Sequence, residues 1–193
     1  MMAEGKDMMK LVLIEGLPKY EGVNEAKTLA TALKLMTQAY TKRTRRSLKI
    51  RPHTASDKQD FLNWLEKDAD FLHISAHGGI EKGHSFLKVT GGGTVTAKDI
   101  EDLTIRAKCV FLNACQTSRN DMAAAFFRAS RRRGQMHFVS TRARVPFDEA
   151  FLVALLFYKK AFVEKGSSLW CALRYTDSLK DIRSEYWFWP KKP

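Results

Sequence analysis

Two short stretches carry side chains able to do covalent chemistry. Residues 70–79 read DFLHISAHGG, and residues 108–118 read KCVFLNACQTS. In the first, Phe71, Leu72 and Ile74 form an apolar run, and His77 then stands against Gly78 and Gly79. In the second, Val110, Phe111 and Leu112 run into Asn113, Ala114 and Cys115. A histidine and a cysteine brought together form a thiolate–imidazole pair, the minimum for nucleophilic cysteine catalysis. Taken alone, each has a plainer reading. Free cysteines are commonly buried, and a histidine before two glycines is an ordinary loop residue. The chemistry exists only if the fold delivers both side chains to one place.

The surrounding elements are those that would do so. Continuous apolar runs bounded by turn residues suit the centre of a parallel sheet. Side chains emerging where such strands end lie in the crevice where open α/β sheets do their chemistry. The first nine residues read as a ragged, disordered start, and residues 11–14 as the first strand. Asn24 caps a helix to about residue 40, with Ala26, Leu29, Leu33 and Met36 on one face. A strand over 47–52 follows, then a helix capped by Ser56 and running to Lys67 with Phe61, Leu62 and Leu65 inward. The histidine strand covers 70–76, residues 78–83 form a loop, and residues 84–96 form a small hairpin. A short helix over 98–103, capped by Thr96, leads into the cysteine strand. Beyond it, a helix begins at Asn120 or Asp121, a strand covers 135–141, and a long helix runs over 147–165 until Gly166 stops it. Ser167 or Ser168 caps a last helix with Leu169, Leu173 and Leu179 inward. The tail, residues 186–193, is expected to fold back on the sheet. Helices between strands predict one α/β domain with a mostly parallel sheet.

Composition narrows the function classes. The 193 residues are 45% hydrophobic, enough for one substantial core. Cys109, Cys115 and Cys171 are an odd set without framework spacing, which argues for free thiols and a reducing compartment. Neither zinc-type spacing nor a calcium loop is present, so no metal and no cofactor are expected. Nor is there a signal peptide or a span of transmembrane length, so the expected location is cytoplasmic. The net charge is +12, concentrated in residues 42–51 and 131–133. That suits an anionic partner such as nucleic acid or an acidic protein. It equally suits a solvated basic face, and the absence of interleaved aromatics favours the face. Cys109 and Cys171 are read as structural. His73 is read as a core or supporting residue, and His53, His84 and His137 as loop or strand residues.

The two central motifs resemble those of the caspase-like cysteine proteases, most closely the CHAT group. That group typically carries a strand with H-x-x-G-H-G and a strand with L-S-A-C; here the segments read HISAHGG and FLNACQTS. The resemblance continues through Phe138–Thr141, Pro146-Phe147-Asp148, Phe157-Tyr158, Gly166-Ser167-Ser168 and Ala172-Leu173, and spans residues 11–180. There are three departures, one being that many CHAT proteins carry repeats or a second, inactive half where this chain reads as a minimal core. Ala76 stands where a glycine is common, and residues 141–145, TRARV, differ from the usual segment. The resemblance implies a three-layer caspase-like fold and a cysteine endopeptidase. Cys115 would be the nucleophile and His77 the general acid/base, with the N–H groups of Gly78 and Cys115 forming the oxyanion hole. In relatives the residue two before the nucleophile lines the primary specificity pocket; here it is Asn113, polar and neutral. Ser75, one pleat before His77, would line the cleft. Asp148 and Glu149 could supply acid to it, although Asp148 could equally cap the long helix. The implied partners are a protein or peptide substrate, a separate regulatory chain, and a second copy joined through an edge strand. The family suggests bacterial defence or signalling. Two rivals stand beside this reading: a catalytically silent caspase-like module that binds a protein, and a basic nucleic-acid-binding α/β domain.

Overall fold

In the computed structural model, residues 8–17, 24–40, 47–118, 120–132, 135–163, 171–172, 175 and 186–189 are described. The strands are β1 (Met8–Glu15), β2 (Ser47–Thr54), β3 (Phe71–Ser75), β4 (His77–Glu81), β5 (His84–Val89), β6 (Gly93–Thr96), β7 (Cys109–Asn113), β8 (His137–Thr141) and β9 (Tyr186–Trp189). The helices are α1 (Glu25–Tyr40), α2 (Lys58–Leu65), α3 (Ala97–Glu101), α4 (Asn120–Ala129) and α5 (Phe147–Tyr158). A π-helical turn, Lys159–Val163, continues α5.

The central sheet runs β2-β1-β3-β7-β8-β9. Its first five strands are mutually parallel, and β9 pairs antiparallel with β8. Residues 186–189 of the tail therefore do return to the sheet, as expected. A second, small antiparallel sheet, β4-β5-β6, leaves the end of β3. Residues 78–83 are expected to form a loop, but residues 78–81 belong to its first strand, β4.

Alternation along the buried strands sorts side chains to the two faces of the sheet. Val12, Ile14, Leu72, Ile74, Val110 and Leu112 pack on one face beneath α2, α3, α4 and the small sheet. Leu11, Leu13, Phe71, Cys109 and Phe111 pack on the other beneath α1 and α5. Phe111 is fully buried and meets His73, Phe157, Tyr158 and Tyr186. Truncating such a side chain costs about 3–5 kcal/mol.

Caps differ from expectation at two helices. Asp57, rather than Ser56, caps α2 by accepting from the Asp60 N–H. Pro146 precedes α5, so Asp148 lies in the first turn instead of capping it. Thr96 does cap α3, in a capping box with Asp99. The expected stop at Gly166, the caps at Ser167 or Ser168, and Leu169, Leu173 and Leu179 lie outside the described residues. Much of the basic run over 42–51 does too.

Candidate active site

Chain direction across the sheet fixes where a site forms. From β1 the chain crosses by α1 to β2 on one side; from β2 it crosses by α2 back over β1 to β3 on the other. The C-terminal ends of β1 and β3 therefore flank a switch point, where neighbouring connections leave to opposite faces and a crevice opens. A cleft of about 220 Å³ lies there. Leu17 and Glu25 line it from beyond β1, Ser75, Ala76 and His77 from β3 onward, and Asn113, Ala114 and Cys115 from β7 onward. Thr141, Val145, Phe147 and Ala150 complete its wall.

Pleating explains why these residues share one face. Ser75 and Asn113 are register partners on adjacent parallel strands. Each lies an even number of residues from its neighbours on the α1/α5 face, Phe71 and Cys109. His77 and Cys115 stand two residues further on, so both arrive at the mouth of the same cleft. His77 is exposed and Cys115 half-buried.

Gly78 seals the junction between the two chain segments. A Cβ built on it would lie 2.2 Å from the Cys115 carbonyl oxygen and 2.9 Å from the Cys115 nitrogen. Only glycine fits so close to another backbone. After Cys115 the chain turns sharply, with Gln116 in the left-handed region at φ 58°. The turn is pinned from several directions. The Thr117 and Thr141 hydroxyls each donate to the Ala114 carbonyl at 2.7 Å. The Gln116 N–H donates to the Ala143 carbonyl and the Ser118 N–H to the Thr141 carbonyl. The Cys115 thiol points to the Val145 carbonyl, with Sγ 3.9 Å from the oxygen. The departing TRARV segment therefore forms part of the wall around the sulfur.

Beneath the reactive pair lies a polar cluster that the sequence did not announce. Glu25, the first residue of α1, is 1% exposed. Its Oε1 accepts from Asn113 Nδ2 at 2.6 Å and pairs with His73 Nε2 at 3.0 Å. Its Oε2 accepts from the Ser75 hydroxyl at 2.7 Å. The Tyr186 hydroxyl donates to Asn113 Oδ1 at 2.5 Å. His73 Nδ1 is buried without a partner, so the ring engages the cluster through Nε2 alone. A second buried carboxyl, Glu15, accepts from the Leu17 and Ala26 N–H groups. Burial pushes its pKa up to about 7, and the nearby Glu25 charge pushes the same way.

Of the residues singled out in the sequence, His77, Cys115, Asn113 and Ser75 meet in one cleft, and Gly78 abuts it. Asp148 and Glu149 do not line it. They sit in the first turn of α5, whose cleft-facing positions are Phe147 and Ala150, three apart on one helical face. Cys109 is fully buried in β7, where burial pushes its thiol pKa far up; it is structural, as expected. Cys171 is exposed. Glu25 was not anticipated. An acid just after a helix cap is explained by the helix dipole alone, and nothing local ties it to Asn113, 88 residues away. Among the described residues no cluster of His, Cys, Asp or Glu is placed to hold a metal ion. No helix among them is long and apolar enough to cross a membrane.

The model of the CHAT domain matches residues 8–176. The chain belongs to the CHAT family. No curated protein matches this CHAT domain. Among solved structures it is similar to the crystal structure of the Drosophila initiator caspase Dronc, with a TM-score of 0.57 at 10% identity. The similarity covers 94% of this chain and 78% of that one. The CHAT domain thus has a caspase-like fold, with five parallel strands at the centre of a mixed α/β layer structure.

Proposed function

We propose that this CHAT domain is a cysteine endopeptidase, with Cys115 as nucleophile and His77 as general acid/base. The observation that carries the reading is that both side chains border one cleft while Gly78 rests on the Cys115 backbone. A peptide carbonyl seated between them meets the thiol on one side and backbone N–H groups on the other.

The steps follow from the chemistry. Cys115 Sγ attacks the carbonyl carbon as its proton passes to His77. The carbonyl π bond becomes an oxyanion, received by the N–H groups of Gly78 and Cys115. Removing one such donor typically costs about 3–4 kcal/mol of transition-state stabilisation. The C–N bond breaks, and His77 returns the proton to the departing amine. Water, deprotonated by His77, then cleaves the thioester and restores the thiol. Ser75 and Asn113 belong to the wall that receives the substrate side chain.

A peptidyl electrophile, followed by intact mass, tests this. The expected result is one adduct on Cys115, absent in Cys115→Ala and slowed at least about tenfold in His77→Ala. Equal labelling rates with and without His77 would refute the pairing and favour a silent binding module.

A further inference from the structure

We propose that the cleft selects a long basic side chain, lysine or arginine, at the residue before the cut bond, and that Glu25 does the selecting. This rests on the peptidase reading above. The argument begins with charge. Glu25 is an acid buried at the base of the cleft, and its partners among the described residues are His73, Ser75 and Asn113, none of them a lysine or arginine. The Ser75 hydroxyl and the Asn113 amide donate to its oxygens, and His73 Nε2 lies at hydrogen-bond distance. A buried acid at the foot of an open cleft favours an incoming group that can donate charge-assisted hydrogen bonds to it, and an ammonium or guanidinium does so best.

Depth supports the same occupant. Ser75 and Asn113, which hold Glu25, each stand two strand residues below His77 and Cys115. Two residues of strand span about 6.6 Å, the reach of a long side chain from a backbone held at the sulfur. The side walls are largely apolar: Leu17, Val145, Phe147 and Ala150. Such walls suit the methylene stem of lysine or arginine, with the charged head at the far end. A short side chain would leave the base unfilled, and an acidic one would face Glu25. The neutral Asn113 therefore does not leave the pocket uncharged. It donates to a carboxylate that arrives from α1.

The test uses the full chain and fluorogenic peptides identical except before the cut bond. That position carries arginine, lysine, citrulline (the neutral isostere of arginine) or glutamate. Arginine or lysine should exceed citrulline in kcat/KM by at least about a hundredfold, and glutamate should not be cleaved. In Glu25→Gln the arginine-to-citrulline ratio should fall at least about tenfold. Equal rates for arginine and citrulline overturn the proposal, as does a Glu25→Gln chain that keeps the full ratio. The citrulline comparison needs no variant, so it decides the matter even if Glu25→Gln fails to fold. A second arm needs no turnover: calorimetric binding of the same peptides to Cys115→Ala. Preferential binding of the basic peptides without cleavage by the unaltered chain supports the role of Glu25 and sinks the peptidase reading. Cleavage without a basic preference does the reverse. Neither cleavage nor preference overturns both.

Discussion

Gly78 shows how little freedom a reactive residue's neighbour has. Its missing side chain would collide with the Cys115 carbonyl, which is backbone and cannot swing aside. Gly78→Ala should therefore lower kcat/KM by at least about a hundredfold, as expected for a displaced oxyanion donor. Its stability should fall by about 1–3 kcal/mol, the cost of overpacking. Steady-state kinetics with urea denaturation checks both, and an alanine variant with native activity would remove Gly78 from the site. The cysteines make a second test. Cys109 is sealed in β7 with its thiol pKa raised by burial, whereas Cys115 borders the cleft and Cys171 is exposed. Iodoacetamide on the native chain should modify Cys115 and Cys171 and spare Cys109 until denaturant is added. Peptide mass mapping reads this directly.

At the scale of elements, the junction of β1 and α1 matters most. Asn24 caps α1 by accepting from the Lys27 N–H at 2.8 Å, and Glu15 accepts from the Ala26 N–H at 3.1 Å. Together they fix the helix start that carries Glu25. Holding Glu15 there has a pH signature. Its pKa rises from 4.5 to about 7, chiefly through burial. Between those values the folded chain keeps a proton that the unfolded chain has released. Stability due to Glu15 is therefore full below pH 4.5, declines as pH rises towards 7, and is flat above. The loss is of order 3 kcal/mol, about 1.4 kcal/mol per pKa unit. His137, whose pKa burial lowers, adds a slope of opposite sign. Urea titrations at several pH values on the native chain and on Glu15→Gln isolate the Glu15 part. A native-minus-variant stability difference that rises with pH would contradict the assignment.

Across the whole molecule, the site depends on segments far apart in the chain. β9 closes one edge of the sheet and brings Tyr186 to Asn113. Tyr186→Phe leaves the buried Asn113 carbonyl without its donor, at a cost of about 1–3 kcal/mol. Thermal unfolding should register that loss, and kcat/KM should fall with it because Asn113 orients Glu25. Unchanged stability and activity would mean that the tail only covers an edge. The +12 charge acts at this scale too. It sets a long-range field that is screened over about 10 Å at 0.1 M salt. Attraction to nucleic acid through that field alone would weaken steeply as salt rises.

The sequence by itself determined most of the strands, the order of most helices, and the two ends that carry His77 and Cys115. Those features are local: apolar runs, caps and a period of two, each read within a few residues. It also determined that Ser75 faces the same way as His77, because pleating is local as well, while Asn113 entered through the family resemblance. Only the tertiary structure decided that residues 77–81 pair as a strand, that Phe147 and Ala150 rather than Asp148 and Glu149 line the cleft from α5, and that Glu25 lies beneath it. Each of those depends on which segments meet across tens of residues. Pairing, packing angle and burial of a charge are settled by partners that no local pattern names.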